Sequence, residues 1–204
     1  MTHPRVLIPV KRLAAAKTRL STPDIDRAEL ALAFAVDTAR TAADIASVTV
    51  ITDDDRVGEA MRAESIGVIP EGGTRGLNSA IEYGASHFGA TWIAVLTADL
   101  PALRAAELRD ALHRARSHHR AFVPDADGAG TVLLSGPADR LNPLFGPESA
   151  HRHKVSGATG LPGDWPGLRR DVDTAANLAE AVHLGVNART ADRLSEHDNR
   201  LTTG

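Results

Sequence analysis

Three groups of residues could do chemistry together if a fold gathered them. Lys11 and Arg12, followed by Lys17 and Arg19, put four cations into residues 11–19. Asp99, in Thr97-Ala98-Asp99-Leu100-Pro101, is a lone carboxylate at the end of an apolar run. Asp171 and Asp173 flank Val172, so in extended backbone both carboxylates point to one face. Such a pair repels itself unless a cation sits between or beside it. Clustered cations with separated aspartates suit a triphosphate with a hard cation such as magnesium, which takes carboxylate and phosphate oxygens. Each part also has a plainer reading. The cations could be a solvated basic helix start, Asp99 could cap a helix ahead of Pro101, and one of the pair could cap a helix at Thr174.

Other residues could recognise a ligand rather than react with it. Gly76-Leu77-Asn78 opens an amphipathic stretch after Glu71-Gly72-Gly73-Thr74-Arg75. A glycine admits a ligand to the backbone and an asparagine can pair with a base edge, or both only shape a helix entrance. Asp53-Asp54-Asp55 follows a strand-like run and offers a helix cap or, through a carboxylate, a partner for guanine's N–H edge. Phe145-Gly146-Pro147-Glu148-Ser149 precedes His151 and His153. Two histidines one residue apart could ligate a metal, but with no other nitrogen or sulfur ligands nearby a surface placement is favoured. There is no Gly-x-Ser-x-Gly nucleophile elbow. No glycine lies between Val10 and Leu20, which excludes a Walker loop and a dinucleotide fingerprint. Phosphate held there would be held by side-chain charge.

These residues need a scaffold, and the hydrophobic pattern supplies one. Residues 6–10, 48–52, 66–70 and 92–97 are short, partly β-branched runs of strand length. Between them the spacing predicts a helix over 27–43, and Leu77, Ala80, Ile81, Gly84, Ala85 and Phe88 form one helical face. Leu108, Leu112 and Ala115 do the same after Pro101, a residue suited to a helix's first turn. Alternating strand and helix predicts an α/β fold with a mostly parallel sheet covered on both faces. Ligands then bind beyond the carboxyl ends of the strands, where the basic run and Asp99 fall. Residues 121–124 and 131–134 read as short strands around an Asp/Gly-rich turn, and 137–166 as a loop-rich excursion over one edge. Thr174 caps a helix running to Val182, with Gly185 as its stop. One domain over residues 1–204 is expected, with 190–204 a frayed polar tail.

Composition narrows the partners. With 23 Lys+Arg against 26 Asp+Glu the net charge is −3, leaving no basic excess to hold a nucleic-acid backbone. The absence of cysteine removes disulfides, thiolate catalysis and sulfur-ligated zinc. No apolar run approaches a membrane span, and Met1 to Arg5 leads straight into a strand, so a cytoplasmic protein free of the membrane is expected. Only Lys11, Lys17 and Lys154 among the basic residues are lysine, against a background of arginine, alanine and aspartate that suggests a GC-rich genome.

Taken in order, the motifs look familiar as a set. Ile8-Pro9-Val10-Lys11, Ala16-Lys17-Thr18-Arg19-Leu20, Gly76-Leu77-Asn78, Ala98-Asp99-Leu100-Pro101, Gly130-Thr131, Phe145-Gly146-x-x-Ser149 with His153, and Asp171-Val172-Asp173-Thr174 span most of the chain. The series resembles the 2-phospho-L-lactate guanylyltransferase family, including its actinobacterial phosphoenolpyruvate guanylyltransferase branch. The resemblance implies a Rossmann-like, nucleotide-diphospho-sugar-transferase-like fold and transfer of GMP from GTP to a phosphorylated three-carbon acid, in coenzyme F-420 biosynthesis. It implies Mg2+ at Asp99 with Asp171 and Asp173, and the acid at Thr131, Gly146, Ser149 and His153. It also implies GTP phosphates at Lys11, Lys17 and Arg19, the nucleoside at Gly76, Leu77, Asn78 and Asp53, and Lys17, Arg19 and Asp99 as the catalytic set. The product would pass to a downstream deazaflavin transferase by channelling or release. The genomic bias points to phosphoenolpyruvate, with phospholactate and 3-phosphoglycerate as alternatives. One departure stands out: Val132 follows Thr131 where many members have asparagine. Rival readings are a molybdenum-cofactor guanylyltransferase or sugar-nucleotide enzyme, whose early glycine-rich loop is missing, and a non-catalytic nucleotide-binding protein.

Overall fold

Strand β1 (Arg5–Pro9) turns Val6 and Ile8 into one layer and Leu7 into the other, the alternation of a strand covered on both faces. The computed structural model describes residues 4–15, 20 and 26–202. β2 (Ser47–Ile51) and β3 (Gly67–Ile69) extend the sheet on one side of β1, and β4 (Trp92–Leu96) lies parallel to β1 on the other. β5 (Ala121–Pro124), β6 (Thr131–Pro137) and β7 (Thr159–Gly160) complete a sheet of order β3-β2-β1-β4-β6-β5-β7. Only β6 runs against its neighbours among the described strands. The predicted α/β class and mostly parallel sheet hold.

Helix α1 (Arg27–Ala43) has the predicted bounds, capped by the Asp26 carboxylate on the Ala28 N–H. α2 (Asp55–Ala63) joins α1 on one face of the sheet, over Val6, Ile8, Val48 and Val50. α3 (Leu77–Ser86) covers the other face over Leu7, Ile51, Ile93 and Val95. It lies hard on the sheet: a Cβ on Gly84 would meet Ile51 Cδ1 at 2.4 Å. α4 (Ala105–Ala115) starts later than Pro101 suggests. Residues 99–104 form a turn, with the Leu103 N–H on the Leu100 carbonyl, and Arg104 stands at the cap.

The loop-rich expectation for 137–166 holds in part. The stretch also carries β7 and the seven-residue helix α5 (Ser149–Val155), too short for periodicity to reveal, and it leads into α6 (Pro166–Arg169). α7 (Ala175–Leu184) begins at the Thr174 cap and ends at Gly185 as read. A third cluster of Leu20, Leu30, Phe34, Val172 and Leu178 joins α1 to α7. The expected frayed tail is instead α8 (Ala188–Thr202). Its first turn is held from α1: the buried Asp37 carboxylate accepts the Arg189 N–H at 3.1 Å and the Thr190 N–H at 2.8 Å. Those two donors would otherwise be orphans of a helix start, and polarity of the tail gives no hint of the partner. Among the described residues no helix is long and apolar enough to cross a membrane.

Candidate functional site

The carboxyl end of β1 delivers Lys11 and Arg12 to the surface as exposed cations. Asp54 fastens the segment that follows, accepting the Leu13 N–H at 2.9 Å while its other oxygen caps α2 through the Val57 N–H. The capping role read into the aspartate triplet therefore falls to Asp54. Asp53 takes a different partner, the Glu71 N–H at 3.0 Å, and so holds the loop that leads to Gly76. Gly76, at φ +95°, is the N-cap of α3. Lys17 and Arg19 lie outside the described residues.

The turn after β4 meets the segment ahead of α7. The Val172 N–H donates to the Asp99 carbonyl at 3.1 Å, and Val172 is fully buried in the third cluster. Asp171 and Asp173 flank this buried valine and are themselves half-buried. Neither aspartate is a cap: Thr174 caps α7 in a reciprocal box with Asn177, whose side-chain oxygen also accepts the Asp173 N–H. Asp99 likewise caps no helix, since α4 begins beyond Arg104. Among the described residues no three His, Cys, Asp or Glu side chains form a metal cage. A hard cation of the magnesium type needs no such cage, since it binds one or two carboxylates and completes its shell with substrate phosphate and water.

β6 brings the next group to the same end of the sheet. Leu96 pairs with Leu133 and the Thr97 N–H donates to the Val132 carbonyl at 2.9 Å, which sets Thr131 beside the turn bearing Asp99. The turn before β6 is built on Asp125, whose carboxylate accepts the Ala129 and Gly130 N–H groups at 3.0 and 2.7 Å. A Cβ on Gly130 would meet that carboxylate at 2.3 Å.

His153 lies against Thr131. Its Nδ1 is 2.9 Å from Thr131 Oγ1, and its Nε2 accepts the Leu144 N–H at 2.9 Å. Accepting at Nε2 puts the ring's proton on Nδ1, so His153 donates to Thr131. The ring is fully buried, edge-on to Phe145. Burial first, and then the charges of Arg120 and Arg152, push its pKa down to about 4, so it is neutral at physiological pH. The surface placement favoured for both histidines holds for His151 alone. With both ring nitrogens engaged, His153 serves the loop and Thr131 rather than a metal.

The segment ahead of α5 packs on His153 through the Leu144 N–H and the Phe145 ring. Gly146 has φ +122°, a conformation that side-chain-bearing residues rarely adopt, and its carbonyl accepts the Ser149 N–H. Asn78 grips the same loop at two points: its side-chain oxygen accepts the Phe145 N–H at 2.8 Å and its NH2 donates to the Phe145 carbonyl at 3.1 Å. The amide read as a partner for a base edge is thus engaged in joining α3 to the loop over Thr131. Sequence reasoning missed Arg120, which is buried and donates to the carbonyls of Leu141, Asn142 and Ser156. It also missed Arg152, which stands three residues after Ser149 on α5. The spacing of Ser149, Arg152 and His153 was the available signal. A separate cavity of about 600 Å3 is lined by Trp165, Arg169, Arg170, Glu180 and His183, and by none of the residues above.

The chain is similar to known proteins over most of its length. Residues 4–154 match the family described as "Guanylyl transferase CofC like". The chain is 52% identical over 194 residues, 91% of each chain, to a phosphoenolpyruvate guanylyltransferase of Salinispora arenicola. It is 44% identical over 200 residues to one of Mycolicibacterium smegmatis, covering 94% of this chain and 90% of that one. Among solved structures, a putative nucleotide-diphospho-sugar transferase of Desulfovibrio desulfuricans superposes with TM-score 0.72 at 20% identity, over 98% of this chain and 96% of that one. A Mycobacterium tuberculosis protein solved with manganese gives TM-score 0.59 at 19% identity, over 89% of this chain and 98% of that one.

Proposed function

Since the chain belongs to the CofC-like guanylyl transferase family and is a nucleotidyltransferase, we propose that it joins GMP from GTP to phosphoenolpyruvate and releases pyrophosphate. The observation that carries the choice of acid is the whole-length similarity to the Salinispora relative of that name. A phosphate oxygen of the acid attacks the α-phosphorus of GTP in line. The bond from that phosphorus to the oxygen bridging to the β-phosphate breaks, and the electron pair leaves with pyrophosphate. The nucleophile is anionic at neutral pH, so the reaction needs no strong general base. The protein's task is to align two polyanions and offset their repulsion.

In this reading Lys11, Lys17 and Arg19 meet the triphosphate, and Gly76, Leu77 and Asp53 face the nucleoside. Asn78 serves the nucleotide indirectly, by keeping the start of α3 against Phe145. Thr131, Gly146 and Ser149 bind the acid, and His153 acts on it through Thr131. Asp99 with one of Asp171 and Asp173 would hold Mg2+, which when bound offsets charge on the α-phosphate and the leaving group. The product is an activated acid that suits a downstream transferase of the F-420 route, in the cytoplasm.

The test is pyrophosphate release from GTP and Mg2+ with phosphoenolpyruvate, 2-phospho-L-lactate and 3-phosphoglycerate in parallel. The anhydride product is hydrolysable, so the assay includes the deazaflavin acceptor and its transferase. Release fastest with phosphoenolpyruvate is expected. Release with none of the three, under coupling, would overturn the reading.

A further inference from the structure

We propose that Arg152 is the anion anchor of the acid pocket, its guanidinium taking the carboxylate of the three-carbon acid. The inference rests on the preceding reading for the identity of the ligand, and on the structure for the site. Arg152 Nε and Nη2 are buried and have no hydrogen-bond partner. A buried guanidinium left unsatisfied is costly, and such groups are nearly always paired. Arg120, close by, shows the ordinary outcome, with its nitrogens on the carbonyls of Leu141, Asn142 and Ser156.

Two further donors accompany Arg152. Ser149, three residues earlier and therefore on the same face of α5, is only 2% exposed, and its hydroxyl makes no hydrogen bond among the described residues. The Thr131 hydroxyl accepts from His153, which leaves its own proton for another acceptor. The guanidinium also touches the loop ahead of α5, since a Cβ on Gly146 would lie 3.1 Å from Arg152 Nη2. Three donors around one loop call for an oxyanion. A planar fork favours the two coplanar oxygens of a carboxylate. The acid's other end is assigned by the reaction: its phosphate must present an oxygen to the α-phosphorus beside Asp99. The carboxylate is left for the donors beside Gly146.

The test compares the full-length protein with Arg152→Gln and Arg152→Lys by three measurements. Steady-state rates give KM for each substrate, calorimetry gives affinities for phosphoenolpyruvate, pyruvate and inorganic phosphate, and thermal melting reports the fold. Loss of a charge-assisted bidentate contact should raise the Arg152→Gln KM for phosphoenolpyruvate about thirtyfold, with the KM for GTP within about twofold. Pyruvate affinity should fall in parallel while inorganic phosphate binding is unchanged, and Arg152→Lys should fall between. The melting temperature of Arg152→Gln should hold or rise, because the substitution removes a half-buried guanidinium with two enclosed nitrogens that have no partner. A purely structural arginine would lower it. An unchanged KM for the acid, or equal losses for acid and GTP, overturns the proposal. A loss confined to inorganic phosphate overturns the carboxylate assignment. If the wild type binds phosphoenolpyruvate through Arg152 yet turns over no acid, the proposed reaction fails and the anion site stands; if it binds none of the three probes, both fail. Should Arg152→Gln not fold, Arg152→Lys carries the same comparison.

Discussion

Val172 and Asp99 are joined by a single backbone hydrogen bond, N–H to carbonyl at 3.1 Å, across a sequence separation that spans three strands. The bond uses main-chain atoms only, so the Asp99 side chain can be changed without breaking it. If Asp99 holds Mg2+ as proposed, Asp99→Asn keeps its melting temperature and loses about three orders of magnitude or more in turnover. Pyrophosphate release and a thermal melt on the same sample check both halves. Near-normal turnover would sink the metal assignment.

The Asn78 grip on Phe145 is a second juncture between distant segments. Asn78→Ala removes both bonds and should cost about 1–3 kcal/mol in urea unfolding. Asn78→Asp keeps an acceptor for the Phe145 N–H but sets a carboxylate against the Phe145 carbonyl, and should cost at least as much. Because the bond ties the start of α3 to the loop over Thr131, both variants should also raise the KM for the acid. Initial rates at fixed GTP test this, and an unchanged KM would confine Asn78 to stability.

His153 predicts how stability depends on pH. Its folded pKa is pushed down to about 4, below the 6.5 of an ordinary histidine. Above 6.5 both states hold the neutral ring and its contribution is complete. As pH falls from 6.5 to about 4 the unfolded chain takes up a proton that the folded chain refuses, and stability drops by up to roughly 2–3 kcal/mol. Below 4 that loss levels off. Urea titrations at several pH values should show the slope, and His153→Gln should flatten it. An equal slope in the variant would assign the effect to other groups.

Gly84 tests the packing of α3 independently of chemistry. Gly84→Ala sets a methyl 2.4 Å from Ile51 Cδ1, and overpacking of this kind should cost about 1–3 kcal/mol despite the better helix propensity of alanine. Ile51→Val removes that Cδ1 and should recover part of the loss. Denaturant midpoints of the two single variants and the double variant form the cycle. Simple additivity would exclude the contact as the cause.

Local signals in the sequence reach far into this fold because they depend on neighbours alone. α1 and β5 have the read bounds, and α7 starts at its threonine and stops at its glycine, since strand alternation, helical periodicity and caps are short-range effects. The same reasoning fails at α5, which is only two turns long, and at α4, where a proline suited to a first turn sits in a preceding loop. It fails at α8, whose start is held by a carboxylate on α1.

By itself the sequence determined the chemistry available: cations after the first strand, three aspartates without cysteine or a phosphate-binding glycine loop, and a Gly-Thr turn ahead of a Phe-Gly-x-x-Ser run. Tertiary structure decided which of those groups are committed and which remain for a ligand. Asp54 and Asn78 are engaged within the fold, His153 is turned from the surface into a buried donor to Thr131, and Arg152 is half-buried with its Nε and Nη2 enclosed and unmatched. The physical reason is that a hydrogen-bonding group's role depends on what lies within about 3 Å of it. For these residues that neighbour comes from a distant part of the chain or from outside it.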